Sequence, residues 1–197
     1  MSRFLFAADE DAPGGVLAFT IDANTGVLTT VPGSPFAVGS NPNPVSVSQI
    51  VVDPTGSFVY VTLPVRGQVA GFSIDASSGV LTPIPGSPFS AESGAFAIAV
   101  NNLPGVTPTY VYVANQMADS ISGYSIDATT GALTPVASSP FAAPGVTALV
   151  TGNLDHLYAY GASGMMVFSI DPNSGALGPV GSPIAFSGAT VLTYVGP

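Results

Sequence analysis

Asp127-Ala-Thr-Thr-Gly131-Ala-Leu133 is one of four copies of the phrase that decides the fold of this chain. The other copies are Asp22-Ala-Asn-Thr-Gly26-Val-Leu28, Asp75-Ala-Ser-Ser-Gly79-Val-Leu81 and Asp171-Pro-Asn-Ser-Gly175-Ala-Leu177. Successive aspartates are 53, 52 and 44 residues apart. A period of this length, made of short strands and turns, is typical of the blades of a β-propeller. We therefore predict an all-β fold in which each repeat forms one four-stranded antiparallel sheet.

The repeated phrase has the chemistry of a tight turn between two strands. An aspartate at the end of a strand accepts hydrogen bonds from turn N–H groups, and a glycine four residues later adopts a positive φ without steric cost. A Ser-Pro-Phe or Ser-Pro-Ile phrase follows each copy, and proline cannot donate to a sheet ladder, so we expect it to end the outermost strand. The four aspartates are predicted to be structural rather than catalytic or metal-binding.

Four strands, which we letter a to d from the axis outward, are predicted in each full repeat. They cover 47–52, 58–63, 69–74 and 80–84 in the second repeat, 95–100, 110–115, 121–126 and 132–136 in the third, and 147–151, 157–161, 165–170 and 176–180 in the fourth. The first repeat offers only strands b to d, at 4–8, 16–21 and 27–31.

The two ends of the chain complement each other. The first repeat lacks a strand a, and residues 189–195 match a lone strand a. We expect the two to share one sheet and close a four-bladed propeller, which removes the open edge. The chain is then a single domain over 1–197, with blades at about 1–36 plus 189–197, 45–89, 95–141 and 146–184.

The charge content excludes several classes of partner. Only 7% of residues are charged, lysine is absent, Arg3 and Arg66 are the only arginines, and the net charge is −9. Nucleic acid binding needs clustered basic residues, so it is not expected, and no apolar run suits membrane insertion. Cysteine is absent, which excludes disulfides and thiolate metal sites. We predict no cofactor and no metal, and we see no signal peptide in residues 1–6, although the low-charge repeats suit an extracellular or cell-surface location.

Two strand phrases carry a family resemblance. Phe58-Val-Tyr-Val-Thr62 and Tyr110-Val-Tyr-Val-Ala-Asn115 resemble the Tyr-Val-Thr-Asn repeats of the lactonase-type β-propeller family. The resemblance implies a propeller fold, and for the enzymes of the family it implies lactone hydrolysis. The chain departs from the family in having four repeats rather than seven, and it lacks most of the basic and acid/base residues that the chemistry uses. No catalytic residue is carried over.

The charged residues divide between the two faces of a propeller. The b–c turns and the crossings between sheets share the face that usually binds ligands, which gives the candidate residues Asp9, Glu10, Asp11, Arg66, Glu92 and Asp119. A calcium ion at 9–11 is the alternative to a solvated acidic loop, and the loop is favoured because the spacing fits no known calcium motif. The single histidine, His156, starts strand b on the opposite face and is predicted to be structural.

The sparse catalytic groups favour a non-catalytic structural or interaction module that associates with itself. The expected partner is another copy, in a homo-oligomer or homopolymer, through the low-charge surface or by exchange of the terminal strand. That assembly and closure strand is Val191, Leu192, Thr193, Tyr194 and Val195. The alternatives are a lactonase-like hydrolase, which two chains would complete as an eight-bladed ring, and a carbohydrate- or protein-binding propeller. Convergence of Arg66, Glu92 and Asp119 on one cleft would favour the enzyme.

Overall fold

Antiparallel β-sheets account for almost all of the regular structure. The computed structural model describes residues 3–9, 14–39, 46–101, 109–152, 155–185, 188 and 192–193. These residues form four sheets and one short 3-10 turn at Pro64–Arg66. Within these ranges there is no helix long and apolar enough to cross a membrane. The prediction of an all-β fold is confirmed.

Each repeat of the sequence builds one sheet. The first sheet contains β1 (Arg3–Asp9), β2 (Gly15–Ile21), β3 (Leu28–Thr30) and β4 (Phe36–Ala37). The second contains β5 (Ile50–Val52), β6 (Phe58–Leu63), β7 (Gln68–Ile74), β8 (Leu81–Pro83) and β9 (Phe89–Ser90). The third contains β10 (Ala95–Val100), β11 (Tyr110–Asn115), β12 (Ser120–Ile126), β13 (Leu133–Pro135) and β14 (Phe141–Ala142). The fourth contains β15 (Ala148–Thr151), β16 (His156–Gly161), β17 (Gly164–Ile170) and β18 (Leu177–Pro179).

The hairpin between strands c and d has the predicted construction. In the first sheet the Asp22 Oδ1 accepts hydrogen bonds from the backbone N–H groups of Asn24 at 3.0 Å and Thr25 at 2.8 Å. Gly26 follows with a φ of 73°. Hydrogen bonds from the turn stabilise the carboxylate and lower the pKa of all four hairpin aspartates, which are Asp22, Asp75, Asp127 and Asp171. The capping role of these aspartates is confirmed.

The prediction that the Ser-Pro-Phe phrase ends strand d is wrong. In the second sheet β8 and β9 lie on either side of that phrase, and both pair with β7. Between them Gly71 accepts a hydrogen bond from the Ile84 N–H at 3.0 Å and donates its own N–H to the Ser87 hydroxyl at 2.9 Å. The Ser87 hydroxyl thus replaces a backbone carbonyl as the acceptor for Gly71 where the chain leaves the edge of β7. Backbone pairing with β7 then resumes at Phe89.

Consecutive sheets pack face to face. We call the face of a sheet that contacts the next sheet along the chain its forward face, and the opposite one its rear face. The buried apolar residues form three clusters, between the first and second, second and third, and third and fourth sheets. Two buried tyrosines reinforce them, since the Tyr60 hydroxyl donates to the Gly131 carbonyl at 2.7 Å and the Tyr112 hydroxyl to the Gly175 carbonyl at 2.9 Å. The described residues therefore form three sheet-to-sheet interfaces.

The structure describes only two residues of the segment 189–195, which we expect to close the ring. Leu192 and Thr193 lie in no strand, and Val191, Tyr194 and Val195 fall outside the described residues. In the described part of the chain β1 pairs with β2 alone, whereas β6, β11 and β16 each have an inner neighbour in β5, β10 and β15. The first sheet thus lacks a described inner strand.

Candidate functional site

One face of the molecule gathers the b–c turns and the crossings between sheets, and we call it the crossing face. The crossings after the second and third sheets are each hydrogen-bonded to the turns of both sheets that they join. In the crossing after the second sheet, the Ala91 N–H donates to the Gly67 carbonyl at 2.8 Å, and Gly94 accepts from the Gln116 N–H at 2.9 Å. The turns are therefore held in fixed register, which gives side chains on this face defined positions.

Arg66 and Glu92 are brought onto neighbouring segments of this face. Arg66 ends the 3-10 turn, and Gly67, in the left-handed conformation, places the turn against the crossing that carries Glu92. No ion pair joins the two side chains, both of which are described. The Arg66 guanidinium extends toward the previous crossing, where a side chain at Gly39 would lie 3.2 Å from Nη1. Arg66 therefore keeps its donors available on the crossing face.

Glu92 is exposed and lies beside a buried phenol. The Tyr124 hydroxyl donates to the Ser90 carbonyl at 2.6 Å. Burial raises the pKa of Tyr124, and the negative charge of Glu92 adds to that shift. The carboxylate thus stands at the rim of the interface between the second and third sheets.

Asp119 lies in the b–c turn of the third sheet, between β11 and β12, and stabilises the fold. It adopts a left-handed φ of 53°. Its carboxylate accepts the Gly145 N–H at 2.7 Å, and its carbonyl accepts the Ala143 N–H at 2.9 Å. These bonds tie the b–c turn of the third sheet to the crossing that follows. The structure therefore places Arg66 and Glu92 on neighbouring segments of the crossing face and gives Asp119 a separate, structural position.

The sequence analysis did not identify three apolar side chains on this face as candidates. Val65 and Met117 are strongly exposed on their turns. Phe96 occupies a β-bulge, since Ala95 pairs with Asn115 and Ala97 pairs with Ala114, and its side chain is 39% exposed. Bulges often redirect a side chain next to a functional site. Val65 and Met117 could have been found from the sequence, as apolar residues within otherwise polar turns. The bulge at Phe96 has no sequence signature.

Asp9 is a further described candidate at a b–c turn, that of the first sheet. Asp9 ends β1 opposite Gly15, and Glu10 and Asp11 fall outside the described residues. Among the residues that the structure describes, no group of three His, Cys, Asp or Glu side chains is placed to hold a metal ion. His156 is half-buried at the start of β16 on the opposite face, with its ring 6.4 Å from that of Tyr158.

A cavity of about 420 Å³ lies between the inner strands. Its walls come from Val51, Ile98, Leu149 and their neighbours, together with Leu192 and Thr193. Arg66, Glu92 and Asp119 do not line it. The polar candidates and the cavity are therefore separate features, and the chemistry of the crossing face rests on Arg66, Glu92 and Phe96.

Comparisons with known proteins identify relatives of the fold. The family model described as "Lactonase, 7-bladed beta-propeller" matches residues 34–151. A proposed 6-phosphogluconolactonase from Bacteroides uniformis superposes with a TM-score of 0.69 at 22% identity, covering 90% of this chain and 50% of the other. The periplasmic gluconolactonase of Pseudomonas aeruginosa superposes with a TM-score of 0.57 at 16% identity, covering 92% of this chain and 67% of the other.

A protein of unknown function from Desulfotomaculum acetoxidans superposes with a TM-score of 0.66 at 20% identity, covering 90% of this chain and 52% of the other. The chain thus spans about half the length of the first structures that it resembles. Among curated proteins no sequence matches it. At these identities the superpositions establish the propeller fold.

Proposed function

This chain belongs to the lactonase, seven-bladed β-propeller family, and from that premise we propose that it hydrolyses a neutral sugar lactone at the crossing face. The observation that carries the proposal is the family match over residues 34–151. It favours the hydrolase over the non-catalytic module that the sequence composition suggested. The P. aeruginosa neighbour, a gluconolactonase by name, supports the same class of substrate.

Arg66 and Glu92 have the chemistry that lactone hydrolysis requires. The reaction adds a water oxygen to the lactone carbonyl carbon, and the ring C–O bond then breaks to give a hydroxy acid. We assign Glu92 as the base that accepts the proton of the attacking water and returns it to the departing alkoxide oxygen. Arg66 supplies N–H donors to the oxyanion that develops on the carbonyl oxygen. Phe96 offers an aromatic surface for the sugar ring.

The charge of the molecule favours a neutral substrate over a phosphorylated one. The chain has a net charge of −9, and its only other arginine, Arg3, starts β1 at the opposite face. A single guanidinium has to serve the oxyanion, so no second cation remains to hold a phosphate. Coulomb repulsion from the acidic surface would further oppose a dianionic substrate.

The test is acid release from glucono-δ-lactone, compared with 6-phosphogluconolactone, by the purified chain. We expect Glu92→Gln to lower kcat by roughly 100-fold or more, as for other general bases. Arg66→Gln should lower kcat/KM by about 10- to 100-fold, since a hydrogen bond to a charged group contributes about 1.5–3 kcal/mol. Arg3→Gln is the matched control and should leave both constants unchanged.

Two results would contradict the proposal. One is a rate with either lactone that does not exceed the rate in buffer alone. The other is equal activity for the Arg66→Gln, Glu92→Gln and unchanged proteins, which would place any hydrolysis elsewhere. Preference for the phosphorylated lactone would overturn the assignment of a neutral substrate.

Self-association is a second candidate function, and one observation favours it. The first and fourth sheets leave apolar side chains exposed at positions that the other sheets bury. A homo-oligomer and an extracellular or cell-surface location remain proposals that fit the low charge of the chain.

A further inference from the structure

The rear face of the first sheet is exposed where every other rear face is covered. Leu28 is 45% exposed, whereas its counterparts Leu81, Leu133 and Leu177 are 4%, 7% and 9% exposed and pack against the preceding sheet. Leu5 is 43% exposed, while its counterparts Val59, Val111 and Leu157 are fully buried. We propose that the forward face of the fourth sheet of a second copy of this chain covers this surface.

The hairpin glycines show which contacts a neighbouring sheet makes at a formed interface. At the three formed interfaces an aromatic residue at the start of strand b in one sheet lies against the hairpin glycine of the next. The pairs are Phe4 with Gly79, Phe58 with Gly131 and Tyr110 with Gly175. At Gly26, in the first sheet, a Cβ would meet no atom within 4 Å. The equivalent residue of the fourth sheet is His156, so the chain itself carries the side chain that fits this position.

The forward face of the fourth sheet is exposed in the complementary way. Val180 is 43% exposed, whereas its counterparts Ile84 and Val136 are 2% and 8% exposed. Ile84 reaches the next hairpin, where a Cβ at Gly131 would lie 2.7 Å from its Cδ1. Ile184, which pairs with Met165 in place of the phenylalanines of the other sheets, is also exposed. Both halves of a fourth interface of the same type are therefore present in one chain.

The position of Leu192 and Thr193 favours the same partner. Leu192 and Thr193 line a cavity together with Val150, Tyr158 and Met165 of the fourth sheet. They thus lie beyond that sheet, on the side where the next sheet would follow. A second copy seated on the first sheet would carry its own residues 192–193 toward β1, for which β2 is the one sheet partner in the described part of the chain.

Arc length and charge favour a second copy as the occupant. The four sheets cover about half the length of the larger chains on which they superpose, from which we infer about half a ring, and one further copy would supply the other half. Two identical forward-to-rear interfaces then close the ring, and eight sheets lie within the range of known propellers. At the third interface the Asp171 carboxylate lies close to Tyr110 and Tyr112. The equivalent pair across the new interface is Asp22 with His156, a carboxylate beside an imidazole.

The first test is the mass of the whole chain by sedimentation velocity across a wide range of concentration. We expect a dimer, and Leu28→Glu or Val180→Glu should weaken it about 100-fold or more, because an unpaired charge is then buried in the interface. Val65→Glu is the control, since Val65 is also an exposed apolar residue but lies on the crossing face. Mixing the Leu28→Glu and Val180→Glu proteins should restore a dimer with one intact interface. A monomer at every concentration, or a dimer that Val65→Glu weakens equally, would overturn the proposal.

The second test identifies the partner by a disulfide in this cysteine-free chain. The double variant Gly26→Cys, His156→Cys is oxidised and its mass measured without reductant. We expect a covalent dimer with the far-ultraviolet spectrum of the unchanged protein. A monomer with an internal disulfide would mean that the ring closes within one chain, and recovery of two free thiols would mean that the faces do not meet. The proposal does not depend on hydrolysis, because neither readout involves a lactone.

Discussion

Replacing a hairpin glycine with alanine tests the packing between sheets directly. Gly131 and Gly26 occupy the same position of the repeated turn, with φ values of 73° at both. A Cβ at Gly131 would overlap the Phe58 ring and lie 2.7 Å from Ile84 Cδ1, whereas a Cβ at Gly26 would meet nothing. The left-handed backbone costs an alanine about 1–2 kcal/mol at either site. Overpacking adds about 1–3 kcal/mol at Gly131 only.

We therefore expect Gly26→Ala to lower the free energy of unfolding by about 1–2 kcal/mol and Gly131→Ala by about 2–5 kcal/mol. The assay is urea denaturation followed by circular dichroism, with both changes made in the Leu28→Glu background so that association does not contribute. The slope with urea should be the same in both variants. Equal losses at the two glycines would refute the reasoning, since they would mean that Phe58 does not fix the position of the next hairpin.

Three further outcomes follow from contacts within the sheets and their interfaces. Tyr112→Phe should lower the free energy of unfolding by about 1–3 kcal/mol in the same denaturation assay, because the buried Gly175 carbonyl loses its donor; no loss would exclude that bond from the interface. Ser87→Ala should cost about 1 kcal/mol because the Gly71 N–H loses its acceptor, whereas Ser182→Ala, on an exposed serine, should cost little. The hairpin aspartates have folded pKa values below their unfolded value of 3.8, so their stabilisation is complete above that pH and is lost as the pH falls below it. The urea midpoint should fall over that range, and a variant with all four aspartates changed to asparagine should show a flatter profile; an unchanged profile would contradict the assignment.

The sequence predicted the sheets well because its signals are local. The Asp-to-Gly turn and the short apolar runs recur in each repeat, so the strand ends differ from the prediction by at most three residues. The detour at Ser87 was missed because a hydroxyl that replaces a backbone partner depends on where the chain passes in space. The resemblance carried by the Tyr-Val repeats was confirmed by the family match.

The candidate site was less accessible to sequence reasoning. Turn positions assigned Arg66, Glu92 and Asp119 to one face, but the hydrogen bonds of Asp119 to the next crossing follow from tertiary packing. The bulge that exposes Phe96 depends on register between β10 and β11. The exposed ends of the arc required the burial of each repeat to be compared with that of the others, and a sequence alone does not contain that comparison.

Each sheet contacts its immediate neighbours, and this has a consequence for how the molecule opens. In such a nearest-neighbour array, stability is the sum of terms for single sheets and for the interfaces between them. The first and fourth sheets each have one described interface, while the second and third have two. Amide hydrogen exchange should accordingly be fastest in the outer sheets of a monomer and slowest in the two central ones. Loss of the central interface would leave two separate pairs of sheets, so the contact of Phe58 and Tyr60 with the hairpin at Gly131 is where cooperativity of the whole array is decided.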